Sequence, residues 1–194
     1  MNSRTGILIL LSAGAACAHA PVPGLGDFYN GLLHPFFSLP HLLCLIALAL
    51  FLGQHREHDN GAPAFGFLFA LILSLGLAAF SIGFPTATLL LAVAGILGFL
   101  ILLNARFPVW ARLSLAVAAG LLMGFDFASE TVRSKLALNC GTALTLYLCL
   151  LYGLTLGEAF GKKRWQHIGM RVAGSWIAAC ALLVLSLTLL QKKT

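Results

Sequence analysis

Charge is what this sequence has least of. Only 9% of its 194 residues are Asp, Glu, Lys or Arg, and 60% are hydrophobic; an ordinary soluble domain carries about 25% charged residues. A water-soluble globule is thereby excluded, because there is too little polar side chain to cover its surface. No Cys-x-x-Cys pair occurs, and the five cysteines, at positions 17, 44, 140, 149 and 180, lie mostly in apolar runs. An odd count without paired spacing argues against a disulfide framework. There is no His-Glu-x-x-His, no Ser/His/Asp set on a recognisable scaffold and no nucleotide-binding loop, so no catalytic constellation appears and an enzyme is not expected. The rival reading is a membrane redox accessory that uses the histidines for a cofactor. The net charge of +6 comes without basic residues interleaved with aromatics, which argues against a nucleic-acid partner. A soluble domain, a low-complexity tract, a long linker and an internal repeat are all missing too.

What remains is a polytopic membrane chain whose surroundings are the lipid bilayer. Met1 to Ala20 reads as a secretory signal peptide, with Arg4 followed by ILILLSAGAA and then small residues. Cleavage after Ala18 leaves His19 as the new N-terminus; cleavage after Ala20 would put Pro21 at the disfavoured +1 position, so the first is preferred. An uncleaved first helix is the alternative, and a lipoprotein site at Cys17 is weakened by Gly14 where leucine is wanted. Six apolar stretches follow, each near the roughly 20 residues a spanning helix needs. They are a bent first span over 28–54, a second from about Ala64 to Ile82, and a third from the turn at Gly83-Phe84-Pro85 to about Leu103. The fourth runs from Leu113, or from Val109, to Phe125, the fifth from Leu136 to Phe160 and the last from Val172 to Leu190. The expected fold is all-α: a signal peptide over 1–18, then one six-helix transmembrane domain over 19–194. Gly76, Ala78, Ala79, Gly95 and Gly98 are expected to mark close helix contacts.

The first span organises the rest. It places His34 and His41 in an otherwise apolar run, and ionisable groups at membrane depth cost about 2.5–3.5 kcal/mol on insertion scales, which makes them functional candidates. Pro40 removes a backbone donor and clashes with the preceding turn, so a bend is expected there. The two imidazoles should then face the bundle interior without filling much core. Imidazole is the common side-chain ligand for nickel, zinc and copper; the structural alternative is that each histidine bonds a nearby carbonyl and steadies the bend.

Lys and Arg counts set the orientation. An exported N-terminus puts Arg56, Arg106, Arg112, Lys162, Lys163, Arg164 and Arg171 inside, and Arg133, Lys135, Lys192 and Lys193 outside, seven against four. The signal peptide demands the same sense. Both termini are then periplasmic in a bacterial inner membrane.

His34-Pro35-Phe36-Phe37-Ser38-Leu39-Pro40-His41-Leu42 closely resembles the H-P-x-x-x-x-D-H-L motif of the HupE/UreJ membrane proteins, with Pro40 in place of the aspartate. Met123-Gly124-Phe125-Asp126-Phe127-Ala128-Ser129-Glu130 is similar to their H-G-x-A-H-G-x-E motif; Gly124 and Glu130 fit, and Met123 and Phe127 replace the two histidines. The resemblance implies nickel or cobalt uptake serving hydrogenase and urease. It makes His34, His41, Glu130, the neighbouring Asp126 and Met123 the candidate ligands for a transition-metal ion (Ni, Co or Cu), with no organic cofactor. Met123 is a thioether and would favour a soft ion such as Cu(I). If the region is helical, Met123, Asp126 and Glu130 share a face; the alternative is a solvated loop with Arg133 and Lys135. The missing Asp and His ligands also suit a second reading, a non-transporting scaffold with a membrane protein partner. His55, Glu57, His58 and Asp59 read as a charged interfacial loop rather than a metal site, Cys44 as a small hydrophobe, and Lys162, Lys163, Arg164 and Trp165 as an anchor with His167 beside it.

Reporter fusions at Asn60, Arg106 and Trp165 should report cytoplasm, and fusions at Glu130 and Thr194 periplasm. The reverse pattern at both ends would overturn the signal peptide and the orientation together.

Overall fold

An apolar run with prolines at 35 and 40 cannot hold one continuous helix, and in the computed structural model it forms two. The structure describes residues 24–55, 60–79, 86–104, 106–125, 132–159 and 163–191, with the backbone alone at 79, 132–135 and 164. Helix α1, Asp27–Phe37, and helix α2, Leu39–Gly53, meet at 74°. The break lies at Ser38, whose backbone is extended (φ −100°, ψ 104°). Pro40 is therefore not the bend itself. It occupies the first turn of α2, where its missing N–H would have had no helical partner anyway. Its ring is compatible with a new helix and not with continuation of the old one, so the chain breaks just upstream.

Five more helices follow: α3, Gly61–Ala79; α4, Ala87–Leu103; α5, Val109–Phe125; α6, Val132–Ala159; and α7, Arg164–Gln191. No strand occurs among the described residues. Helices α3, α6 and α7 are long and apolar enough to cross a membrane, and the bent α1–α2 pair makes up to four. Helices α4 and α5, at 17 residues, are shorter apolar segments. The expected helices all appear, but their ends differ. The polar stretch before the last span is largely helix, because α7 begins at Arg164. The fourth begins at Val109, which moves Arg112 from a loop into a helix. The expected signal peptide lies outside the described residues.

Helix α2 is the centre. Cys44, Leu45, Ala47, Leu48, Ala49, Phe51 and Leu52 are all buried, while Ile46 is exposed, the burial over most of its circumference of a helix with neighbours on several sides. It packs on α4 and α6 most extensively and touches α1, α5 and α7; α3 pairs with α5, α4 with α7, and α1 with α6. Close approach rests on small residues. A Cβ on Gly53 would lie 2.7 Å from the Cα of Gly157, and one on Gly98 the same distance from the Gly174 carbonyl. Gly98 thus makes the close contact expected of it. Gly76 does not: it is exposed, with nothing within 4 Å of its Cβ direction. Cys44, Cys140, Cys149 and Cys180 are free thiols; Cys17 lies outside the described residues.

Pro35 sits inside α1 and cannot donate to the Gly31 carbonyl one turn back. Thr142 of α6 supplies a donor: its Oγ1 lies 3.1 Å from that oxygen and 3.0 Å from the carbonyl of Leu138 in its own helix. Thr145 does the same for Leu32 at 3.0 Å. Side-chain hydroxyls that re-satisfy a broken backbone are what make a proline tolerable at membrane depth. Thr142→Val should therefore lower stability by about 1–3 kcal/mol, the cost of a buried carbonyl left without its partner, and Thr142→Ser should not. Thermal unfolding in detergent reads the difference.

Candidate metal-binding site

The break at Ser38 changes what the seven-residue spacing of the histidines means. In a straight helix it separates two side chains by about 10 Å along the axis, at 1.5 Å per residue. Across the bend the ring centroids of His34 and His41 lie 6.0 Å apart, edge to face at 83°. His34 is half-buried on α1, and His41 has no exposed surface. The expectation that neither fills core thus fails for His41, because the bend tucks the start of α2 against the end of α5.

Both nitrogens of His41 are engaged. Nε2 lies 3.2 Å from the carbonyl oxygen of Met123, and Nδ1 lies 2.7 Å from the Ser38 hydroxyl. A carbonyl only accepts, so Nε2 carries the hydrogen; on a neutral ring Nδ1 then accepts from Ser38. Met123 lies two residues before the last residue of α5, among the final carbonyls that have no partner within the helix. A donor there is also favoured by the negative end of the helix dipole. His41 thus caps α5, which is the carbonyl-bonded arrangement weighed against metal ligation. The sequence does not single out Ser38, which stands at a variable position of the motif. Its signal was that an N-cap serine three residues before a histidine can reach that ring.

The remaining candidates divide. The Met123 side chain is fully buried in the apolar core, and its backbone oxygen is what meets His41. Gly124 lies against the Ser74 side chain of α3, and Ser74 Oγ bonds the Gly120 carbonyl at 3.2 Å, so this end of α5 is held from two sides. Asp126 and Glu130, and the shared face expected for them with Met123, lie outside the described residues. So do Glu57, His58 and Asp59. Among the described residues no group of three or more His, Cys, Asp or Glu side chains is placed to hold a metal ion. Cys44 is a buried core residue, and His167, Lys163 and Trp165 are exposed at the start of α7.

Residues 7–184 match the HupE/UreJ protein family, nearly the whole chain. The chain belongs to the HupE/UreJ family. No curated protein and no solved structure matches it. In this HupE/UreJ member the two motifs meet physically: His41 of the first bonds Met123 of the second. Position 40, where the family motif has an acid, is in the first turn of α2, where the helix dipole favours a carboxylate.

A second polar group was missed. Arg112, counted as a loop cation, is 1% exposed. Its Nη1 donates to Asn60 Oδ1, and Asn60 Nδ2 reaches the Leu52 carbonyl at 3.1 Å and Glu158 Oε1 at 3.3 Å. His55 Nδ1 lies 2.9 Å from the Phe51 carbonyl, and its Nε2 accepts from Phe107 N–H at 3.0 Å. Hydropathy could not find this group, because its members come from four separate segments.

His41→Ala should cost about 1–3 kcal/mol in detergent unfolding by leaving the Met123 carbonyl without its donor, whereas His34→Ala should cost clearly less. Equal losses would show that the cap contributes nothing.

Proposed function

We propose that this HupE/UreJ member binds and moves a transition-metal ion across a bacterial inner membrane, with His34 and His41 as the capture pair. The observation that carries the reading is the approach of two imidazoles to 6.0 Å inside an apolar bundle, in a family linked to nickel or cobalt transport or accessory function. The chain would span six times after removal of residues 1–18, with both termini periplasmic. The mature N-terminus then lies on the side from which the ion enters. Nickel and cobalt suit imidazole and carboxylate donors; a thioether from Met123 would favour copper. Glu130 and Asp126 would complete the set. Capture by His41 would displace one of its two hydrogen bonds. Weak, exchangeable ligation of this kind suits a transported ion, which must bind and then leave.

The scaffold reading has its own support. His41 already has partners on both nitrogens, and Pro40, Met123 and Phe127 replace family ligands. In that reading the chain is an accessory subunit and the histidines only hold the bend.

His34→Ala decides between them, since it disturbs the fold least. Nickel accumulation by proteoliposomes should fall at least tenfold in this variant, and Pro40→Asp should raise Ni(II) affinity. Wild-type protein that neither binds nor transports Ni, Co, Cu or Zn would sink the transport reading. A membrane protein that co-purifies with wild type and is lost from His34→Ala would then favour the scaffold.

A further inference from the structure

His41 meets two neighbours through two different nitrogens, and the two bonds are not equally easy to give up. Nε2 donates to the Met123 carbonyl at 3.2 Å, and Nδ1 lies 2.7 Å from the Ser38 hydroxyl. The hydrogen on Nε2 is obligatory, because a carbonyl cannot donate. Nδ1 therefore carries the lone pair of the neutral ring, on the side of Ser38, where α1 and α2 part at 74°. A neutral imidazole binds a metal ion through the nitrogen that carries no hydrogen. Ligation at Nδ1 requires only that the Ser38 hydroxyl give way, and it releases no proton. Ligation at Nε2 requires the ring to move its hydrogen to Nδ1. It also takes this donor from a buried carbonyl near the end of α5. Stripping a buried carbonyl of its donor is the costlier loss.

Metal-binding histidines commonly donate their other ring N–H to a carbonyl or carboxylate, which fixes the tautomer and orients the ring. The Nε2 bond to Met123 already has that form. Ser38 has a matching peculiarity. It is the N-cap residue of α2, yet its side chain makes no capping bond to that helix. An N-cap serine ordinarily accepts from a first-turn N–H; here the hydroxyl lies against Nδ1 instead. The same break brings the rings of His34 and His41 to 6.0 Å. We propose that His41 takes the transition-metal ion through Nδ1 while its Nε2 hydrogen stays on the Met123 carbonyl, and that Ser38 holds the Nδ1 position and yields it to the ion. The proposal rests on the reading that His41 is a capture ligand, and it adds which nitrogen binds and which side chain is displaced.

The first test uses wild-type full-length protein in nanodiscs, with isotope-labelled histidine read by nitrogen NMR and Zn(II) as a diamagnetic, imidazole-binding probe. The His41 signals are assigned by their absence from His41→Ala. Before zinc is added the hydrogen should sit on Nε2. Zinc should then shift Nδ1 and leave Nε2 protonated. A zinc shift at Nε2 overturns the proposal and leaves the capture reading standing, whereas a His41 ring that zinc does not touch overturns both. The second test is Ser38→Cys with Co(II). Sulfur in place of the hydroxyl puts a thiol beside Nδ1, so an ion bound there should gain a thiolate ligand. Co(II) should bind at least tenfold tighter than to wild type, with a thiolate-to-cobalt absorption band stronger than any from the native cysteines. A folded Ser38→Cys that shows neither change overturns the role given to Ser38, since a merely structural serine would produce no such band. Should Ser38→Cys fail to fold, the zinc spectrum of the wild-type protein decides.

Discussion

Every backbone group freed inside an apolar bundle has to find a partner, and this constraint explains more of the structure than any single packing contact. Pro35 and Pro40 interrupt the first apolar run, and an interruption in hydrocarbon exposes carbonyls that water cannot reach. The repair comes from side chains on other helices. Thr142 and Thr145 of α6 serve carbonyls of α1, and His41 of α2 serves the end of α5. At the other end Gln54 donates to the Ile101 carbonyl at 3.1 Å, and Arg171 Nε donates to that of Leu102 at 2.8 Å, both near the end of α4. Several polar side chains among the described residues therefore serve helix ends and breaks.

That accounting bears on how the histidines should be understood. A buried imidazole with partners on both nitrogens stabilises its surroundings, and the same bonds orient the ring. Structural capping and ion capture are not exclusive roles for His41. His34 is the simpler member, half-buried and on the short helix that the bend carries over the start of α2.

The two ends of α2 contrast in chemistry. One places His41 beside the C-terminal end of α5; the other adjoins the buried cluster of Asn60, Arg112 and Glu158. Between them the helix shows only apolar residues to its neighbours, with Gly53 and Ala49 allowing α6 to close against it. The apolar wall and the small residues belong to packing.

The sequence by itself determined the class of the protein. The scarcity of charge excludes a soluble fold, the apolar stretches place the helices, and His34, His41 and the half-kept motifs point to the HupE/UreJ family. These features were legible because hydropathy and motif spacing are local. The position of the break was less so: a proline announces a disruption, but whether the chain turns at it or just before it depends on which helix its ring can join. Tertiary structure alone decided that His41 is buried and caps α5, that Ser38 orients it, and that Arg112 belongs to a buried cluster and not to a loop. Each is a contact between residues far apart in the chain, such as the 82 positions between His41 and Met123. No local pattern encodes such a pairing, because it follows from which helix ends the packing brings together.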